Sequence, residues 1–409
     1  MSFCFVHAAD LHLDTPFEGL SNTDPALKQR LTDASLDALD ALVVLAIREH
    51  ALFVALAGDV YDGAKRGLRA QMRLLDATRR LDDAGIWTFI AHGNHDPVGT
   101  GWTAIRAWPE RVHVFAADRA TTVELVAADG TSVTVTGTSF PTPHVQDGLH
   151  VRFPRHDQPG FHVAVLHSNV GGVISHGSYS PCSIDDLVSL GYDAWLLGHI
   201  HTRSILRLDN PFIAYPGNTQ GRSFKPSECG PKGALCLDVD HGRITSRFVP
   251  LAAVVFEEHT FDVSTCDDLA AVLDALAAVD PSVPAGNSIV VTRARLTGRT
   301  PAFAELARED ARSELLKTLR DRSTGRLWTD LLLEVGAPID RESLRRTDTL
   351  SGELIREIDR LQGDPSALRE LLGKTPAFRE LFAKISDEEL SAWLDPAGDL
   401  ALHLLTQEA

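Results

Sequence analysis

Phe3-Cys4-Phe5-Val6-His7-Ala8 is a short, largely apolar run that stops at Ala9-Asp10-Leu11-His12, where a carboxylate and an imidazole stand two residues apart. The same arrangement recurs down the chain. Leu52 to Ala57 is followed by Gly58-Asp59-Val60-Tyr61-Asp62, and Ile86 to Ile90 is followed shortly by Gly93-Asn94-His95-Asp96. Val163-Ala164-Val165-Leu166 ends at His167, and Trp195-Leu196-Leu197 runs into Gly198-His199-Ile200-His201. Apolar runs this short, bounded by glycine and polar residues, predict buried strands. Polar residues at the carboxyl ends of such strands converge on one rim of a sheet, the usual place for a site in layered α/β folds.

Outward from these runs, the first 250 residues alternate β-rich and helical stretches, an α/β or α+β pattern. Asp24-Pro25 predicts a helix start, with a capping carboxylate before proline at the first helical position. A second, Arg-rich helix is expected around Gln71 to Leu81, and further strands at Thr131–Thr136, His162–Leu166, Ala194–Leu197 and Phe212–Tyr215. A boundary is expected near residues 250–260. Beyond it come a helix (Asp267–Val279), a turn (Pro281–Gly286) and a strand (Ser288–Leu296). From about Pro301 the pattern reads as helical, broken at Gly325, Gly336-Ala337-Pro338, Gly363-Asp364-Pro365 and Pro396-Ala397-Gly398.

A chain of 409 residues accommodates two or three domains and a full core without disulfides. Any metal is therefore expected to serve chemistry rather than hold the fold. The cysteines Cys4, Cys182, Cys229, Cys236 and Cys266 are odd in number and form no CxxC pair, which fits reduced thiols. Met1 to Ala9 lacks the features of a secretion signal, and the apolar run Ala41–Ile47 is far short of a membrane span. A cytoplasmic location is expected, with no membrane association. The net charge of −17 is uneven: residues 1–255 hold 21 Lys and Arg against 27 Asp and Glu, residues 256–409 hold 18 against 29.

Imidazoles mixed with carboxylates and one amide oxygen, without thiolate, suit Mn²⁺, Fe²⁺ or Zn²⁺ better than Ca²⁺ or Mg²⁺ alone. Seven candidates (Asp10, His12, Asp59, Asn94, His167, His199 and His201) are too many for one tetrahedral ion. They suit two ions about 3.5–4 Å apart that bind a phosphate and polarise a water. Singly, each piece has an ordinary explanation: a capping Asp with a surface His, a turn, or histidines on an edge strand. Their common position after β-like runs argues for one site.

The set resembles the calcineurin-like metallophosphoesterases. His7-Ala8-Ala9-Asp10-Leu11-His12-Leu13-Asp14-Thr15-Pro16-Phe17, Tyr179-Ser180-Pro181-Cys182 and Gly198-His199-Ile200-His201-Thr202-Arg203 narrow the likeness to the DNA-repair exonuclease branch. So does Tyr215-Pro216-Gly217-Asn218-Thr219-Gln220-Gly221-Arg222, followed by Gly230-Pro231-Lys232-Gly233. Within that branch the chain is similar to the YhaO type of SbcD-like subunits. Ser223 to Cys229 departs from the common form by its length, so the shape of that loop is left open.

The resemblance implies an α+β fold, a four-layer αββα sandwich over residues 1–255. A small α/β cap over 256–340 and a C-terminal helical region over 341–409 would complete the chain. It assigns one ion to Asp10, His12, Asp59 and His201, and the other to Asp59, Asn94, His167 and His199, with Asp59 bridging. Two divalent ions are expected, Mn²⁺ first, with Fe²⁺, Zn²⁺ or Mg²⁺ as alternatives. His95 would face the scissile phosphate as the catalytic acid and Asp62 would orient it. The implied reaction is in-line attack of a metal-bound hydroxide on a DNA phosphodiester, as an exonuclease with endonuclease action left open.

Lys65, Arg66, Arg69, Arg203, Arg222 and Lys232 are candidates for DNA-backbone contacts, which position a nucleic acid without reading it. Expected partners are DNA and a coiled-coil ATPase subunit of SbcC-like or YhaN-like type, with homodimerisation left open. Apolar stripes at Leu368, Leu371 and Leu372, and at Phe378, Leu381, Phe382 and Ile385, would dock that partner or pack on their own domain. His92 is expected to be packed or to support the site, and His176 sits in a glycine-containing loop. Two other functions compete: a metallophosphoesterase for small substrates such as nucleotides or cyclic nucleotides, and a non-catalytic regulator of an ATPase. The complete ligand set argues against the regulator.

Overall fold

The computed structural model describes residues 2–15, 17, 25–63, 67–99, 102–157, 159–171, 179–279, 288–323, 325–338, 340–375 and 385–407. Of the residues singled out above, Pro16, Asp24, Lys65, Arg66, His176, Phe378, Leu381, Phe382 and the turn at 281–286 lie outside them. Two compact units emerge, Met1–Glu257 with Ser282–Val291, and Glu258–Pro281 with Thr292–Ala409.

The first unit is a mixed α/β sandwich of two six-stranded sheets. Its strands in chain order are β1 (Ser2–Ala8), β2 (Phe53–Ala57), β3 (Trp87–Ala91), β4 (Val112–Val114), β5 (Thr121–Val126) and β6 (Ser132–Gly137). They continue with β7 (Phe161–His167), β8 (Ala194–Gly198), β9 (Ser204–Arg207), β10 (Phe212–Tyr215), β11 (Gly233–Asp240) and β12 (Arg243–Pro250). One sheet runs β12-β11-β1-β2-β3-β4 and the other β5-β6-β7-β8-β10-β9. β1 to β4 are parallel, as are β6, β7, β8 and β10.

Alternation along the strands builds the layers. Phe5, Phe53, Ala55 and Phe89 point inward to meet Val133, Val135, Val163, Val165 and Leu196 between the sheets. Val6, Val54, Leu56 and Ile90 point outward, against helices α1 (Pro25–Arg48) and α2 (Leu68–Asp83). The outer face of the second sheet, with Leu166, Trp195, Leu197 and Ile213, is covered by Leu149, Phe153, Leu187 and Tyr192. Strands covered on both faces become continuous apolar runs, which is why they stand out in the sequence. All five cysteines are free, and the sulfurs of Cys4 and Cys236 lie 3.2 Å apart across β1 and β11.

Beyond residue 250, β13 (Val254–Asp262), β14 (Ile289–Arg299) and β15 (Arg326–Gly336) form a three-stranded sheet. The last of these corrects the helical reading of the region after Pro301. Leu331, Leu332 and Leu333 are good helix formers, but Trp328 and Leu331 are buried in the core beside the sheet, and tertiary pairing overrides propensity. The C-terminal region is helical, with Leu350–Gln362, Pro365–Gly373 and Asp387–Gln407 as its longer described helices, and the last runs through Pro396-Ala397-Gly398, where the sequence predicts a break. There Leu368 is buried with Leu361 and Leu390, and Leu372 and Ile385 pack on the same cluster, so this part of the expected docking stripe serves its own unit. Leu371 remains exposed. Among the described residues no helix is long and apolar enough to cross a membrane.

Candidate metal centre

The strand ends meet at one rim. Asp10 N donates to Gly58 O (3.1 Å), His12 N to Asp59 O (3.0 Å) and Leu13 N to Val60 O (2.9 Å), so the segments after β1 and β2 run side by side. The backbone there is unusual: Asp10, His12, Asp59 and His199 all have positive φ, at 52°, 42°, 48° and 103°. Non-glycine residues pay for that conformation and keep it where surrounding bonds over-determine it. Gly93 is required by proximity, since a Cβ there would lie 2.2 Å from Asp59 Oδ1 and 2.7 Å from His167 Nε2.

Two clusters of donor atoms result, one from Asp10, His12 and His201 and one from Asp59, His167 and His199. His12 Nε2 and His201 Nε2 face each other at 3.2 Å. Asn94 Oδ1 lies 3.0 Å from His167 Nε2 and 3.2 Å from His199 Nδ1. Asp59 Oδ2 is 3.4 Å from His167 Nε2 and 3.9 Å from His12 Nε2, which puts this carboxylate between the clusters. All seven candidate ligands are thus brought together.

The donor chemistry fits cations. His167 Nδ1 lies 2.9 Å from Ala57 O, a bond in which the ring must donate, so the neutral ring presents a bare Nε2 to the cluster. His201 Nδ1 lies 2.5 Å from Glu228 Oε1, which likewise turns a bare Nε2 toward His12. Lone pairs and carboxylates aimed at common points call for positive charge. Protons answer that call where nothing else does: against the effect of burial, Asp59 and Asp10 push His167 up to about 9. Burial opposes ionisation of Asp59 too, yet His167 draws its carboxyl well below the ordinary range. Asp10 is shifted upward by burial, with the histidines opposing.

His95 stands beside these two clusters and forms a third group of donor atoms with His12 and Asp62. Its backbone N donates to Asp59 Oδ1 (2.9 Å), its ring packs edge-on to His12, and its side chain is 45 % exposed, open to a substrate. Its Nδ1 is 2.7 Å from Asp62 Oδ1, and that bond raises its pKa. Asp62 in turn accepts from Arg222 Nη1 at 3.2 Å.

Basic residues expected on DNA are placed differently from one another. Arg222 is engaged with Asp62, and Arg69 pairs with Asp33 and lies 3.5 Å from Asp14. Arg203 is exposed, its guanidinium 4.2 Å from the Phe248 ring centroid. Lys232 corrects the expectation: it is buried, and its ammonium donates to His201 O (3.1 Å) and Ser227 O. The lysine is spent on two peptide carbonyls inside the protein.

Two carboxylates take roles that the sequence analysis does not assign. Asp96 is fully buried and accepts from Val60 N (3.0 Å), Tyr61 N (3.2 Å) and Gly93 N (2.8 Å), with His92 Nδ1 at 2.8 Å. It ties the loops after β2 and β3 together. Glu228, 5 % exposed, sits in the loop whose shape was left open. Its place in Gly-Asn-His-Asp marked Asp96 for attention, whereas nothing local marks Glu228.

A sandwich with paired imidazole and carboxylate clusters at its rim defines a phosphoesterase that works with divalent metals, and relatives bear on which. Residues 4–203 match the calcineurin-like phosphoesterases, and residues 256–334 match the middle domain of the metallophosphoesterase YhaO. The chain is 32 % identical to the metallophosphoesterase YhaO of Bacillus subtilis over 387 residues, 94 % of each chain. It is 27 % identical over 348 residues to the DNA double-strand break repair protein Mre11 of Halobacterium salinarum, covering 80 % of this chain and 83 % of that one. The chain belongs to the calcineurin-like metallophosphoesterases of the YhaO type, and it is a metal-dependent phosphodiesterase.

Proposed function

We propose that the chain hydrolyses the phosphodiester backbone of DNA, using two divalent ions, Mn²⁺ first among them. Asp10, His12, Asp59 and His201 would hold one ion and Asp59, Asn94, His167 and His199 the other. The observation that carries the reading is the juxtaposition of two complete donor clusters with one exposed imidazole. When bound, such ions polarise a phosphoryl oxygen and an attacking water. The chain's own groups do the rest. His95, whose pKa is raised by its bond to Asp62, would give a proton to the leaving oxygen, a task worth about 10²–10⁴-fold. DNA as substrate is supported by similarity to a protein named for double-strand break repair. Arg203, with Lys65, Arg66 and Arg69, would meet the backbone phosphates. A coiled-coil ATPase subunit is the expected partner, and co-purification with and without residues 341–409 checks whether the C-terminal helices recruit it.

The test compares Asp59→Ala and His95→Ala on end-labelled single- and double-stranded DNA with Mn²⁺, with bis-p-nitrophenyl phosphate and cyclic nucleotides alongside. Asp59→Ala should lose metal and activity together. His95→Ala should retain metal and lose about 10²–10⁴-fold in rate. Rapid turnover of the small esters with DNA uncut would replace DNA by a small substrate, and full activity of His95→Ala would remove its role.

A further inference from the structure

We infer that Glu228 is a positioning residue for one metal position alone, the one built on Asp10, His12 and His201. The inference rests on the proposed ligand role of His201. Glu228 lies on a single turn, Pro226–Glu228, in the connection from β10 to β11. Three donors converge on its carboxylate. Oε1 lies 2.5 Å from His201 Nδ1, while Oε2 accepts from Asn218 Nδ2 at 2.9 Å and from Arg222 N at 3.0 Å. Only a group that accepts at both ends can serve all three, and among side chains of this length that group is an ionised Glu. A Gln must turn its NH₂ toward either His201 or the other two donors. Lys232, donating to His201 O, holds the same residue from its backbone side.

The two metal positions are therefore backed unequally. His167 leans on a neutral peptide carbonyl, Ala57 O, and His201 leans on a carboxylate. A carboxylate behind an imidazole fixes the ring's orientation and strengthens its other nitrogen as a donor. Glu228 reaches the acid side of the site as well, since the backbone N it holds belongs to Arg222, whose guanidinium bonds Asp62 beside His95. One buried carboxylate thus links a metal ligand to the residue that orients His95.

The experiment titrates the metal-free full-length protein with Mn²⁺ by calorimetry, for wild type, Glu228→Gln, Glu228→Asp and His201→Ala. Wild type should bind two ions. Glu228→Gln should weaken one of them by about 10–100-fold, the loss typical of removing such a support, and leave the other within about twofold. His201→Ala should weaken the same one. Glu228→Asp keeps the charge but draws it back from His201, so it should show the same selective loss; it carries the test if the Gln variant does not fold. Equal weakening of both ions in the Glu228 variants would mean a merely structural loop, and unchanged binding would mean no role; either overturns the inference. Two undiminished ions in His201→Ala would instead overturn the ligand reading beneath it.

Discussion

Asp96 is fully buried, and four polar groups depend on it. Removing it leaves the N–H groups of Val60, Tyr61 and Gly93 buried without their acceptor. Asp96→Ala should lower unfolding stability by at least about 1–3 kcal/mol, the cost of leaving a buried donor without its acceptor, measured by urea denaturation of the metal-free protein. His7 sets a pH dependence. Burial between the sheets lowers its pKa to about 3 from an ordinary 6.5, against the bond from Nε2 to Leu197 O at 3.0 Å, which favours the protonated ring. Between those values the unfolded chain binds a proton that the folded one refuses, so stability falls as pH drops from 6.5 toward 3. His7→Gln should flatten that slope by about 1.4 kcal/mol per pH unit, the weight of one proton, in unfolding curves taken from pH 7 to 4. The ligand candidates were legible in the sequence because each follows an apolar run. Glu228 was not, because its partner lies 27 residues away in sequence, and a carboxylate meant for burial looks like any other on paper.

Strands β2 and β8 belong to different sheets, and at the rim they touch. A Cβ on Gly198 would fall 1.8 Å from Ala57 O, so glycine lets the sheets close there. Gly198→Ala should force them apart, costing about 1–3 kcal/mol as overpacking and moving His199 from its place. Thermal unfolding together with Mn²⁺ titration reads both effects. At this scale the buried parallel strands were readable to within a residue or two: Phe212–Tyr215 was placed as observed, and Phe3–Ala8 began one residue late. β15 was not readable, because its leucines favour helix locally and only pairing beside β14 makes them a strand.

Across the whole molecule, the surplus of carboxylates works against DNA binding and in favour of cations. The chain carries a formal charge of −17, and part of the excess in residues 1–255 faces the candidate metals. Saturating Mn²⁺ should stabilise the fold by about 2.7 kcal/mol per position at a hundredfold excess over Kd, reversed by EDTA in a thermal scan. DNA affinity should be modest and fall steeply with added salt.

The left-handed turns at Asp10, His12 and Asp59 are secured by hydrogen bonds between peptide groups of neighbouring segments, Asp10 N to Gly58 O and His12 N to Asp59 O, in which no side-chain ligand atom takes part. The backbone of the cage is thus held by its own hydrogen bonds. An enzyme stripped by a chelator should therefore regain its rate as fast as Mn²⁺ is mixed back in, with no lag for the polypeptide to reorganise, and stopped-flow reloading would register one if it did.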